Sequence, residues 1–89
     1  MRLGRPARQG LLRELEGVVT FFGSHHAMRA ERVLDGSGSR ALLVPGPREI
    51  SPNCGVALRF DYSRLEEVRE LLDRSFVQYE AFHHYPHRG

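Results

Sequence analysis

The sequence predicts an α+β fold: a ferredoxin-like βαββαβ sandwich with two helices on one face of a four-stranded antiparallel sheet. Three observations support this prediction. The length of 89 residues suits one domain with a modest core. Apolar, β-branched runs alternate with two amphipathic segments in the order β-α-β-β-α-β. Right-handed crossovers and a central hairpin then favour the ferredoxin-like topology.

The first half of the chain predicts a strand, a helix and a second strand. The β-branched and aromatic run over 18–22 indicates the first strand. Ser24 follows a glycine break and is the expected N-cap of a helix over about 25–35. A glycine-rich segment ends this helix, and the apolar run over about 40–44 predicts the second strand.

The second half repeats the pattern. The segment 55–60 predicts a third strand, and Ser63 with Glu66 three positions later is a capping box that begins the second helix. The aromatic run over 76–82 predicts the last strand, followed by a polar, histidine-rich tail.

The expected domain organisation follows from these elements. Residues 1–16 form a partly flexible N-terminal extension, because their first half is rich in arginine, glycine and proline. Residues 17–83 form the folded domain, and residues 84–89 form the tail.

The composition excludes several function classes. No apolar run approaches the ~20 residues of a membrane span, so we expect no membrane partner. All 13 basic residues are arginine, which excludes lysine Schiff bases and the P-loop.

A net charge of +2 is too small by itself to indicate nucleic-acid binding. Phe21 and Phe22 are adjacent and so face opposite sides of a strand, unlike an RNA-binding platform. We therefore expect no nucleic-acid partner.

Cys54 is the single cysteine and the first candidate for chemistry. It ends a loop and precedes Gly55, whose missing side chain gives access to the thiol. Arg48, His25 or His26 could supply the positive charge that stabilises a thiolate. Alternatively, Cys54 is a small buried hydrophobe at the start of a strand. A lone cysteine excludes an internal disulfide and a thiolate-rich zinc site, and it suits a reducing cytoplasm.

The histidines do not predict a metal site. His25 and His26 are adjacent on a helix, where side chains point ~100° apart, so they cannot both chelate one metal. One of them could reach Cys54 as a base, or one could face the core and the other solvent. His83 and His84 alternate faces on a strand and belong to the opposite edge of the sheet, as does the tail histidine His87. We expect no metal and no cofactor.

The predicted topology brings several candidates to one edge of the sheet. The start of the first helix, with Ser24, His25 and His26, lies at the same edge as the loop that ends at Cys54. Arg48 belongs to that loop and could bind an anion, or it could pair with a neighbour and pin the loop. This edge is where we expect a site.

Two segments resemble a known family. TFFGSHHAMRAE over 20–31 is similar to the TFxSTHHALxAE-like opening of the selenium/sulfur carrier protein-like family of small bacterial domains. PREISPNCGVALRF over 47–60 resembles the second family signature, PREISSSCGLALRF. The resemblance covers residues 18–80. The departures, Gly23 and positions 52–53, leave the cysteine and the histidine pair unchanged.

The resemblance implies a carrier protein rather than an enzyme. Cys54 would hold a sulfur or selenium atom as a persulfide or perselenide and transfer it to a partner enzyme. A lone thiol suits this task, because a second cysteine nearby would attack the persulfide and release the cargo. The implied partner is a cysteine desulfurase or another sulfur- or selenium-handling enzyme. The implied supporting residues are Ser24, His25, His26, Arg48 and Gly55.

Two other functions stay open at this point. A small ligand-binding or regulatory domain would use Cys54 only structurally, and its unpaired outer strand would allow a homodimer. A metal or redox site would instead combine Cys54 with His25 or His26.

Overall fold

The computed structural model describes residues 15–50 and 55–85, which form four strands, two α-helices and one 3₁₀ turn. In chain order these are β1 (Gly17–Thr20), α1 (Ser24–Gly36), β2 (Ala41–Pro45), β3 (Val56–Phe60), the 3₁₀ turn (Tyr62–Arg64), α2 (Leu65–Arg74) and β4 (Ala81–His84). Residues 1–14, 51–54 and 86–89 lie outside the described residues.

The strands form one antiparallel sheet in the order β2-β3-β1-β4. Gly17 at the start of β1 lies opposite Phe60 of β3 and opposite His84 of β4. Thr20 at the other end of β1 lies opposite Ala57 and Ala81. This confirms the predicted α+β class with a four-stranded antiparallel sheet and two helices.

The main core lies between the sheet and both helices. Alternation along a strand sends Val19 to this core and Val18 to the other face. Both helices therefore cover the face that carries Val19. Burial of each large apolar side chain here contributes about 1.5–3 kcal/mol. The buried residues of this cluster are Val19, Phe21, Ala27, Ala30, Leu34, Leu58, Phe60, Val68, Leu72 and Val77.

Both helices end in a Schellman motif, in which one residue adopts a left-handed conformation. After α1 this residue is Gly38, with φ of 83°, and the Ser39 N–H donates to the Leu34 carbonyl at 3.0 Å. After α2 the same position holds Phe76, with φ of 58°, an angle that a residue with a side chain adopts only at a cost.

The start of α1 differs from the prediction by one residue. Gly23, not Ser24, is the N-cap, with extended backbone angles (φ −145°, ψ 148°) and no side-chain capping bond. Ser24 is the first helical residue, and the Gly23 carbonyl accepts the His26 N–H at 3.1 Å. The glycine break that the sequence shows is therefore itself the cap.

The predicted capping box of the second helix is wrong. Asp61 Oδ1 accepts hydrogen bonds from the Ser63 N–H at 3.1 Å and from the Ser63 hydroxyl at 2.7 Å. Ser63 thus donates to a cap instead of serving as one. The 3₁₀ turn that Asp61 caps moves the start of α2 to Leu65, and Glu66 pairs with Arg69 at 2.8 Å.

The last strand begins later than predicted. Phe76 terminates α2, and the ladder with β1 begins only where the Glu80 N–H donates to the Thr20 carbonyl at 2.7 Å. His83 and His84 belong to β4, opposite Val18 and Gly17, so His84 is not part of a tail.

The two histidines of β4 lie at the sheet edge away from the start of α1, whereas the prediction for His87 falls outside the described residues. Before β1, Leu15 is fully buried and the Glu16 carbonyl accepts the Tyr85 N–H at 2.7 Å.

Candidate functional site

A groove joins the start of α1 to the start of β3. Ser24 and Met28 of α1 line it on one side, and Gly55 and Val56 line it on the other. Its volume is about 320 Å³, and Leu43, Val44 and Pro45 of β2 complete its walls. No charged side chain lines it among the described residues. The structure thus brings together two of the predicted supporting residues, Ser24 and Gly55.

Cys54 lies outside the described residues, so its role stays a prediction. The residue bonded to it, Gly55, is exposed and directly precedes β3. The Gly46 N–H donates to the Gly55 carbonyl at 3.2 Å, which closes the base of the loop between β2 and β3. The loop that contains Cys54 therefore starts and ends beside the groove.

His25 and His26 lie against each other at the start of α1. Their ring centroids are 4.0 Å apart, with an angle of 38° between the rings. His25 is exposed and His26 is half-buried, so neither ring enters the core. A Cβ atom on Gly23 would lie 3.3 Å from His25 Cε1, so glycine at this position leaves room for the His25 ring.

Arg48 is exposed in a turn that the Ile50 N–H closes by donating to the Pro47 carbonyl at 3.1 Å. Its guanidinium has no hydrogen-bond or ion-pair partner among the described residues. The two roles considered for Arg48, anion binding and pinning the loop, both stay predictions.

One cluster near this loop was not predicted from the sequence. The Tyr85 hydroxyl donates to Glu49 Oε2 at 2.7 Å, and Arg59 Cζ lies 5.5 Å from the centroid of the Tyr85 ring. Arg59 is only 7% exposed, and its Nε donates to the Leu15 carbonyl at 2.7 Å. The one available signal was Arg59 itself, a charged residue within an apolar strand.

Two ionisable groups of this cluster have shifted pKa values. Hydrogen bonding at the backbone of Glu49 is the first cause that lowers the pKa of its carboxyl, and the Tyr85 hydroxyl is the second. Burial lowers the pKa of Arg59, while the charges of Tyr85 and Glu16 act in the opposite direction. Glu49 is therefore a carboxylate, and so a good acceptor for the Tyr85 hydroxyl, at neutral pH.

The described residues contain neither a candidate metal site nor a membrane-spanning helix. Residues 15–50 and 55–85 contain no group of three or more histidine, cysteine, aspartate or glutamate side chains that could hold a metal ion. Neither helix of this part of the chain has the length and apolar character needed to cross a membrane.

Comparison with protein families gives one match. The family described as "Putative Se/S carrier protein-like" matches residues 16–84, more than three quarters of the chain. The chain belongs to this family. The match confirms the resemblance seen in the two sequence segments and includes every predicted site residue of this Se/S carrier-like protein. Comparison with curated proteins and with solved structures gives no match.

Proposed function

We propose that this Se/S carrier-like protein holds sulfur or selenium on Cys54 as a persulfide or perselenide and passes it to a partner enzyme. The observation that carries the proposal is the family match, which includes the only cysteine of the chain. The protein acts as a carrier and not as an enzyme. The only bond that it forms and breaks is the one that joins the transferred sulfur or selenium atom to Cys54.

The loading step balances without an external oxidant. The Cys54 thiolate attacks the terminal sulfur of a donor persulfide, a new S–S bond forms on Cys54, and the S–S bond of the donor breaks. The donor leaves as a thiolate, which takes up the proton that Cys54 lost. In unloading, a nucleophile of the acceptor attacks the terminal sulfur and the Cys54 thiolate is the leaving group.

The surroundings of the loop favour a thiolate. Arg48 provides an exposed positive charge six positions before Cys54, and the N-terminus of α1 contributes its partial positive charge at the same edge. Lowering a thiol pKa from ~8.5 to ~7 requires about 2 kcal/mol, a magnitude that these two features together can supply.

We assign the ferredoxin-like fold to this protein. The order β2-β3-β1-β4, with β1 and β3 central, supports this assignment. Ser24 and Gly55, both exposed, lie together at one edge, where we propose that a donor or acceptor approaches. Cys54 must be a free thiolate to accept sulfur, and reducing compartments keep cysteines as free thiols, so we propose that the protein acts in the cytoplasm.

The test is persulfide formation on Cys54. The full chain is incubated with a cysteine desulfurase and cysteine, and the mass of the peptide that contains residue 54 is measured. We expect one added sulfur atom on the wild-type protein and none on the Cys54→Ser variant. The pH dependence of iodoacetamide alkylation is measured in parallel. No added sulfur, together with a thiol pKa at or above ~8.5, contradicts the proposal.

A second function is favoured by the groove beside Gly55. Its apolar walls and volume of about 320 Å³ suit a small-molecule site, in which case Cys54 would be structural. This alternative predicts that ligands stabilise the Cys54→Ser variant as strongly as the wild type. Thermal shift measurements on the two proteins with a library of small apolar compounds distinguish the functions.

A further inference from the structure

The loop between β2 and β3 is attached to the rest of the molecule at two places. Its base is closed by the hydrogen bond from the Gly46 N–H to the Gly55 carbonyl at 3.2 Å. The second attachment comes from the other end of the chain, where the Tyr85 hydroxyl donates to Glu49 Oε2 at 2.7 Å. Glu49 lies within the turn that the Ile50 N–H closes. The second attachment therefore acts on the part of the loop that leads to Cys54.

Tyr85 is itself held firmly. Its N–H donates to the Glu16 carbonyl at 2.7 Å, and its carbonyl accepts Arg59 Nη2 at 3.4 Å. The guanidinium carbon of Arg59 lies 5.5 Å from the centroid of its ring. Arg59 is in turn fixed in the sheet, because Nε donates to the Leu15 carbonyl at 2.7 Å and only 7% of the residue is exposed.

We propose that Glu49, Tyr85 and Arg59 form a latch that positions the loop carrying Cys54. This inference rests on the proposed carrier function of that cysteine. Arg59 fixes the Tyr85 ring, the Tyr85 hydroxyl holds Glu49, and the turn over 47–50 is thereby restrained on the sheet face opposite the helices. Glu49 and Tyr85 are positioning residues, because they act on Cys54 through the backbone of the loop.

The geometry gives each member of the latch a separable role. Tyr85→Phe removes the hydroxyl and keeps the ring beside Arg59. Glu49→Gln keeps an oxygen acceptor for the hydroxyl, whereas Glu49→Ala removes it. Tyr62→Phe is the matched control, since it also removes one tyrosine hydroxyl but on the other face of the sheet, where Tyr62 packs against the main core and its ring stacks on His84 at 4.2 Å.

Amide hydrogen exchange tests the latch without reference to the cargo. In Tyr85→Phe and in Glu49→Ala we expect the Ile50 amide to exchange about two- to tenfold faster, the range for loss of one hydrogen bond. Amides of β1 should keep their wild-type rates. A general loss of stability would instead accelerate the core amides as well. Glu49→Gln should restore most of the protection, and Tyr62→Phe should leave the Ile50 amide unchanged.

The second readout is the rate at which Cys54 gains sulfur from the desulfurase. We expect Tyr85→Phe and Glu49→Ala to slow it by a similar factor and the double variant to slow it no further, because both remove the same bond. Wild-type rates of loop exchange and sulfur loading in both single variants would overturn the latch. If the wild-type protein gains no sulfur but the exchange pattern is as expected, the carrier function fails and the latch stands as a loop anchor.

Discussion

The ring of Phe60 fills the space in which a side chain at Gly17 would lie. The two residues are paired across β1 and β3, and a Cβ added to Gly17 would come within 2.5 Å of two Phe60 ring atoms. Phe60 is fully buried and makes an edge-to-face contact with Phe82, with 5.7 Å between ring centroids. The ring therefore cannot move aside without disturbing the core.

Gly17→Ala should destabilise the protein by about 1–3 kcal/mol, the usual cost of overpacking a core. Urea unfolding followed by circular dichroism measures the change. Gly36→Ala is the control, because Gly36 lies in α1 and an added Cβ there meets no atom within 4 Å. Removing the conformational freedom of Gly36 should stabilise the helix by about 0.5–1 kcal/mol. Equal stability of the two variants would contradict the close approach of Gly17 and Phe60.

Phe76→Gly should stabilise the protein by about 1 kcal/mol. Phe76 has φ of 58°, a conformation that costs a residue with a side chain about 1–2 kcal/mol and glycine almost nothing. The ring is 84% exposed, so its removal loses little burial. Phe76→Ala is the control: it removes the ring and keeps the cost of the positive φ. The backbone explanation fails if alanine stabilises as much as glycine in thermal unfolding.

The carboxyl of Glu49 should titrate below the ordinary glutamate range, because its backbone hydrogen bond and the Tyr85 hydroxyl favour the carboxylate. With a folded pKa below the unfolded pKa, its contribution to stability is present above the unfolded pKa and is lost as the pH falls through the folded pKa. Carbon-13 NMR of the carboxyl group measures the titration. Tyr85→Phe should raise this pKa part of the way to its ordinary value, whereas Tyr62→Phe should not.

Tyr79 should titrate above the ordinary tyrosine range in alkaline solution. Burial first, and then the hydrogen bond to Asp73 at 2.8 Å and the charge of that carboxylate, raise its pKa. Since the folded pKa exceeds the unfolded pKa, the stabilisation is complete below the unfolded pKa and is lost as the pH rises through the folded pKa. Ultraviolet absorbance of tyrosinate follows the titration. Tyr79→Phe should remove a tyrosinate step that lies above the ordinary tyrosine range; if that step persists, it belongs to another residue.

The spacing of apolar residues along the sequence predicted most of the strands and helices. Each of these elements packs one side against the core, and the apolar residues recur at the positions on that side. The last strand was misplaced because Phe76 and Tyr79 have the composition of a strand but follow the end of α2. What decides its start is a contact between Glu80 and Thr20, far apart in the sequence. The capping box was predicted wrongly because the Ser63 hydroxyl donates to the Asp61 carboxylate and does not cap the helix.

The approach of Ser24 to Gly55 was predictable, because chain direction alone brings the start of α1 and the start of β3 to one edge. The contact of Tyr85 with Glu49 was not predictable, because it depends on where two side chains meet across the sheet. A single contact between two side chains produces no regular spacing of residues from which it could be predicted. Only the placement of Arg59 within an apolar strand hinted that this face holds a polar cluster.

The hydrogen bond between the Tyr85 N–H and the Glu16 carbonyl brings the first and last parts of the described chain within 2.7 Å of each other. A short glycine-serine linker can therefore connect Tyr85 to Leu15 without strain, and new ends can be opened at Gly38, in the exposed turn after α1. Such a circular permutant would keep every strand pairing, but β1 and α1 would be synthesised last instead of first. The sheet edge with Ser24 and Gly55 would be untouched by the rearrangement.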